Sequence, residues 1–202
     1  MAVNRFEREA ARWDEAPRRV ALAQAVAEAI REQVPLSGTE AALDYGCGTG
    51  LLTLALRPAV GRITGVDTSA AMLSRLEAKL TEVPDTGVDA VLLDPVHPLR
   101  SLPPVDLITS SMTLHHVTDL PDLFADFHAL LRPGGRIALA DLEAEDGTFH
   151  EDPEGVVHHG FNPEALLGLL AAAGFTDLRA TPATVVTKGE RPYRVFLATG
   201  LR

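Results

Sequence analysis

Residues 41–51 read Ala41-Ala42-Leu43-Asp44-Tyr45-Gly46-Cys47-Gly48-Thr49-Gly50-Leu51. A short apolar run ends at an aspartate, three glycines follow at alternate positions, and Leu51 to Leu56 then opens a helical pattern. Glycines at such a strand-to-helix turn let the backbone bend tightly and approach a ligand closely, with the helix N-terminus just beyond. Two ligand classes compete for this loop. In a dinucleotide fingerprint the third glycine falls one place later, where this chain has Leu51. Asp44, two residues before the first glycine, would also repel a pyrophosphate. A carboxylate there suits a cation, such as an ammonium or a sulfonium.

Outward from the loop, short apolar runs alternate with longer helical ones. Candidate strands are 41–45, 63–67, 90–94, 106–110 and 137–141, apolar enough to be buried on both faces of a parallel sheet. Helical spacing marks 17–34, 51–56, 69–80 and 120–131, and Asn162-Pro163 opens a further helix running to Gly174. The tail reads as two strands, 176–187 and 194–199. The turn at 188–192 is too short for a crossover, so this pair is antiparallel. The expected fold is α/β: a doubly wound, Rossmann-like, seven-stranded and mostly parallel sheet, with one antiparallel strand near the edge and helices on both faces.

That topology brings three aspartates to one edge of the sheet. Asp44, Asp67 and Asp94 close strands one, two and three. A carboxylate ending the second strand of such a fold suits the two hydroxyls of a ribose, and Asp94 is then within reach of an adenine amino group. A lone strand-end aspartate is more often a cap, but three in series point to a ligand.

The 202 residues suit one domain spanning 1–202. Lys plus Arg is 18 and Asp plus Glu is 28, a formal net charge of −10, which argues against nucleic acid as a partner. Cys47 is the single cysteine, so neither an internal disulfide nor a cysteine-based zinc cluster is available. No apolar run approaches the length of a membrane span, and the charged N-terminus is unlike a secretory signal. A cytoplasmic protein is expected. Its oligomeric state, monomer or homodimer, is not encoded in these patterns.

LDYGCGTG (43–50), with Asp67 and the helix opening Thr68-Ser69-Ala70-Ala71-Met72-Leu73, resembles the class I S-adenosylmethionine-dependent methyltransferases. ITSSMTLHHV (108–117) and LLRPGGRIALADL (130–142) resemble the later motifs of the ubiquinone and menaquinone biosynthesis subgroup. The resemblance covers about residues 38–200. It implies S-adenosyl-L-methionine as donor, S-adenosyl-L-homocysteine as product and a small-molecule acceptor. Gly46, Gly48 and Gly50, with the Tyr45 and Gly46 backbone, would line the methionine part, and Asp44 would bind its ammonium. Asp67, followed by Thr68, would hold the ribose, Met72 would pack on the adenine and Asp94 would accept from its amino group. Pro95 departs from the pattern, because it lacks the N–H that relatives offer to the adenine ring. Ser110 and Ser111 would sit under the sulfonium. Cys47 lies within the loop without assigned chemistry. Residues 1–36 would form a cofactor-covering arm and helix, with Trp13 and Phe6 closing over the site.

Methyl transfer needs acceptor, methyl and sulfur in line, and for some acceptors a base. His115 and His116, after the fourth strand, are the candidate bases; Asp119 reads as a helix cap. Residues 142–161 fit no strand or helix pattern and suggest a lid over the acceptor, carrying Phe149, His150, His158, His159 and Phe161. Histidines 158 and 159 raise the thought of a metal, but no fixed ligand spacing supports one and none is assigned. The competing readings are a nicotinamide-dependent oxidoreductase and a cofactor-binding protein without catalysis.

Overall fold

The apolar runs become strands because they can bury both faces. In β1 (Ala41–Tyr45) the first four residues are all buried. Around it assemble β2 (Arg62–Asp67), β3 (Val88–Leu92), β4 (Val105–Ser111), β5 (Leu131–Leu142), β6 (Thr176–Lys188) and β7 (Arg191–Leu201). The structure is a computed structural model that describes residues 5–82 and 87–202; the first four residues of the expected N-terminal arm lie outside the described residues.

The seven strands form one sheet in the order β3-β2-β1-β4-β5-β7-β6. β1 pairs in parallel with both β2 and β4, and β7 runs antiparallel to β5 and β6. This is the expected fold. The chain reverses its winding between β1 and β4, so the carboxyl ends of these two strands flank the crevice where doubly wound sheets bind ligands.

Side chains alternate across the sheet with period two and so divide the core. Ala42, Leu107, Ala138 and Ala140 face a cluster that includes α2 (Pro17–Gln33), α3 (Leu51–Leu56) and α4 (Ala70–Glu82) through Ile30, Leu56 and Leu76. Leu43, Ile108, Ile137 and Leu139 face the other cluster, where α5 (Leu120–Leu130) and α6 (Pro163–Ala172) contribute Phe124, Phe127 and Leu170. Alanines on the first face let α2 and α3 approach closely. The helix starts follow the capping chemistry: Asp119 accepts from Asp122 N–H, and Asn162 accepts from Ala165 N–H.

Several boundaries differ from the expectation. β3 ends at Leu92, two residues before Asp94. β5 begins at Leu131, which periodicity had assigned to the preceding helix, because a register shift opposite Val105 and Leu107 lets the Pro133-Gly134-Gly135 stretch continue the strand. The hairpin turn shrinks to Gly189 and Glu190, since Lys188 pairs with Arg191. Gly189 has φ +59 at the first turn position, as a two-residue hairpin with glycine first requires. Residues 5–15 of the expected arm are helical: α1 (Arg5–Glu9) runs into a 3₁₀ turn, Ala10–Glu15. No helix among the described residues is long and apolar enough to cross a membrane.

Candidate active site

The glycine loop is shaped by positive φ at Gly46, Gly48 and Gly50, a region that only glycine enters without cost. A Cβ at Gly46 would stand 2.2 Å from Thr113 Cγ2, and one at Gly50 would stand 2.4 Å from Leu76 Cδ1. The loop therefore packs against β4's exit on one side and α4 on the other. It walls a cavity of about 390 Å³ at the carboxyl ends of β1, β2 and β4, within the range of small-ligand sites.

Asp44 reaches this cavity although only 1% of it is exposed. Its carboxylate accepts from Thr53 Oγ1 at 2.6 Å and Thr109 Oγ1 at 3.1 Å. Burial pushes its pKa up to about 7, with the charge of Asp67 adding to the rise and the two hydroxyl bonds opposing it. No cation balances it among these contacts, so the cavity presents an acid that a ligand's ammonium would ionise. Asp67 accepts from Gly48 N–H and Ser69 N–H, each at 2.8 Å. It thereby ties the loop to α4, and burial raises its pKa as well. Each carboxylate oxygen keeps lone-pair capacity for a hydroxyl.

Tyr45, Gly46, Cys47, Gly48, Thr68 and Met72 also line the cavity, as do Ser111 and Trp13. Burial raises the Cys47 thiol well above its usual range and keeps it neutral. Four expected residues do not line it. Gly50 acts sterically, as above. Ser110 is wholly buried and donates to the Tyr45 carbonyl at 2.9 Å. Asp94 and Pro95 lie past the strand end, where Asp94 Oδ1 accepts from the N–H groups of Val96 (2.8 Å) and His97 (2.6 Å). This is the turn chemistry that a short acid before proline favours, and Leu93 stands at the cavity in its place.

Met112, unremarked in the sequence, lines this cavity and the next one with φ +57, a conformation rarely held by a non-glycine residue. Such strain gathers at functional sites. No sequence signal announces it. The N-terminal segment did carry a signal: Phe6, Ala10 and Trp13 recur at helical spacing. It is fastened across the cavity by Glu7 accepting from Ser69 Oγ at 2.6 Å and Asp14 accepting from Thr49 Oγ1 at 2.6 Å. Lys79 adds an ion pair to Asp14 at 2.6 Å.

A second cavity, of about 110 Å³, adjoins the first along Phe6, Trp13, Leu22, Met112 and His116. Three imidazoles meet at it. His115 is 1% exposed, and its Nδ1 lies 2.7 Å from Asp141 Oδ1, itself fully buried. The carboxylate fixes the proton on Nδ1, so Nε2, buried and without a hydrogen-bond partner, carries the lone pair. His116 Nδ1 donates to the Gly155 carbonyl at 2.7 Å. Burial and then the neighbouring His115 press its pKa down to about 4. His150 is pressed to about 3, first by burial and then by His115 and His116. The ring centroids of His115 and His116 are 4.2 Å apart, and those of His115 and His150 are 4.8 Å apart. The expectation left the two candidate histidines equal; the geometry separates them, since only His115 has a carboxylate to stabilise an imidazolium.

From residues 142–161, Phe149 and His150 reach this cavity and the other three expected residues do not. His158 Nε2 donates to the Val117 carbonyl at 3.1 Å, His159 turns to Glu145, and Phe161 joins the core. The segment is held to the body by Val157 and His158 N–H donating to the His115 carbonyl, and to the arm by Arg5 donating to the Asp152 carbonyl at 2.6 Å. Among the described residues no group of three or more histidines, cysteines or acids is placed to hold a metal ion.

A seven-stranded sheet with an acid-lined glycine loop at its switch point is a methyltransferase architecture. Residues 14–180 match the methyltransferase domain family, and the chain belongs to it. It is 33% identical over 150 residues to an uncharacterized methyltransferase of Schizosaccharomyces pombe, covering 67% of this chain and 53% of that protein. The chain spans about half the length of the curated relatives it matches. An S-adenosylmethionine-dependent methyltransferase from Mesorhizobium loti shares 25% identity at a TM-score of 0.66, over 88% of this chain and 98% of that one. A chain in the Haloferax volcanii complex of the Trm112 activator with a methyltransferase shares the fold at a TM-score of 0.79. It is 17% identical, with 100% and 99% of the two chains covered.

Proposed function

We propose that the protein transfers a methyl group from S-adenosyl-L-methionine to a small-molecule acceptor. The observation that carries this reading is the donor cavity, where buried Asp44 and half-buried Asp67 stand without cationic partners beside a glycine loop of positive φ. When bound, the donor supplies an electrophilic methyl on a sulfonium, open to in-line displacement. In this reading Asp44 holds the methionine ammonium, Asp67 the ribose hydroxyls, Met72 packs on the adenine, and Ser111 with the loop glycines frames the methionine. Leu93 flanks the adenine, and Asp94 would join it only if its turn to Val96 and His97 opened. Trp13 and Phe6 exclude water from above.

His115 is the proposed base: Asp141 holds its Nδ1 proton, which leaves the buried, unpartnered Nε2 to take a proton as the acceptor reacts. His116 positions the acceptor. The subgroup likeness to quinone-pathway methyltransferases rests on residues 108–117 and 130–142 alone. An oxidoreductase reading is disfavoured by Asp44, which would face a pyrophosphate. Trp13 is the single tryptophan and lines the cavity, so its fluorescence reports occupancy. Saturable quenching by S-adenosylmethionine and S-adenosylhomocysteine but not by NADH is expected; the opposite pattern would overturn the reading.

A further inference from the structure

The two adjoining cavities differ in charge. The donor cavity has Asp44 and Asp67 in its wall and one cation, Arg19, which it shares with the second; the second is lined by Arg5, Arg18, Arg19 and Lys188 and by no carboxylate. In a chain whose net charge is −10, that concentration of cations is not a by-product of composition. Nor are the four neutralised by their neighbours. Arg5 and Arg19 share one carboxylate, Glu9, each at 2.9 Å. Arg18 and Lys188 share another, Glu151, at 3.9 and 3.7 Å, and the Glu151 side chain is 81% exposed. Asp141 is bonded to His115 Nδ1 and does not line the cavity. Counting it, four cations meet three carboxylates, none of them in the cavity wall.

Desolvation sharpens the imbalance. The Lys188 side chain is 15% exposed and that of Arg5 13%, so their charges act through a medium poorer than water. Burial, followed by the charge of Arg18, lowers the Lys188 pKa, and Glu151 opposes the fall. Apart from the three imidazoles, the remaining wall is apolar, with Leu22, Met112, Phe149 and Val186 in it. We propose that the methyl acceptor carries an anionic group, a carboxylate or a phosphate, taking the place that the exposed Glu151 carboxylate holds between Arg18 and Lys188, with its apolar body toward Met112. This rests on the methyltransferase reading of the donor cavity and assigns the substrate class of the second.

The group that Arg18 and Lys188 hold is one end of the acceptor, and the atom to be methylated lies toward His115 and the shared wall. Burial and His115 chiefly keep His116 and His150 neutral, and Arg5 adds to both. An anion seated there would offset that push.

The test is a Trp13 fluorescence titration of the full chain saturated with S-adenosylhomocysteine, using benzoate, phenyl phosphate and the neutral isostere benzamide. Binding of either anion at least tenfold tighter than benzamide is expected, together with a tenfold or greater loss in Arg18→Gln and in Lys188→Gln. Preference for benzoate identifies a carboxylate and preference for phenyl phosphate a phosphate. Equal binding of all three, no response to any at millimolar concentration, or anion binding unchanged in both variants would each overturn the proposal. The comparison within the parent protein needs no variant to fold. Calorimetry with S-adenosylhomocysteine on the same samples separates the two claims. Retained donor-side binding with indifferent anions sinks the inference alone, whereas no such binding sinks the methyltransferase reading beneath it.

Discussion

Replacing Asp44 by Asn tests whether a buried acid is held in reserve for a cationic ligand. From an ordinary value of 3.8, burial lifts the Asp44 pKa to about 7. At about 1.4 kcal/mol per pH unit, this is a cost of up to about 4 kcal/mol for keeping the group ionised in the empty protein. The sign follows from proton counting. Between about 3.8 and 7 the folded chain holds a proton that the unfolded chain has released, so this residue's contribution falls as pH rises through that window and levels off above it. Asn keeps an acceptor for Thr53 Oγ1, and Thr109 Oγ1 can donate to the Leu43 carbonyl instead, 3.4 Å away. The variant should therefore exceed the parent by only about 2 kcal/mol near pH 5 and by up to about 4 kcal/mol near pH 8, measured by urea unfolding without ligand. S-adenosylhomocysteine should bind the variant about 10–150-fold more weakly, for loss of a charge-assisted bond of about 1.5–3 kcal/mol. A stability difference identical at both pH values would refute the buried-charge argument. Unchanged affinity would refute the ammonium assignment.

Three further outcomes are expected. Asp67→Ala should weaken S-adenosylhomocysteine binding by about 1–3 kcal/mol, and because Asp67 also ties Gly48 to Ser69, hydrogen exchange in the loop should rise with it. With an identified acceptor, Asp141→Asn and His115→Gln should each lower turnover by about 10²–10⁴-fold while S-adenosylhomocysteine affinity holds. A parent-like pH–rate profile in Asp141→Asn would remove the base assignment. Gly46→Ala should cost about 2 kcal/mol or more, from its φ of +69 and the Thr113 clash. Gly134→Ala, with φ +78 but open space around it, should cost only the backbone part, so equal losses in urea unfolding would show that packing at the loop is not the constraint.

The sheet was legible because its strands are buried on both faces and announce themselves as apolar runs, and because Asp119, Asn162 and the glycines obey local rules. Where local rules compete, the reading slipped. Leu130-Leu131 continues a helical period, yet Leu131 pairs with Val105, since tertiary pairing outweighs one more helical residue. Asp94 looked like a third ligand in series, but an Asp-Pro pair beyond a strand also makes a turn, and the backbone N–H groups of Val96 and His97 claim its carboxylate. The second cavity was the least legible part. Arg5, Arg18 and Arg19 come from the arm and first helix and Lys188 from the final hairpin, and only folding brings them together. The distinction between His115 and His116 likewise depends on Asp141, 26 residues away in sequence.

The donor cavity is the central claim, and calorimetric titration of the parent protein with S-adenosylhomocysteine near neutral pH tests it most directly. The account predicts saturable binding at one site per chain, with proton release below pH 7 as the ligand's ammonium ionises Asp44. A flat titration by folded protein would contradict it and leave the glycine loop as a scaffold for something else.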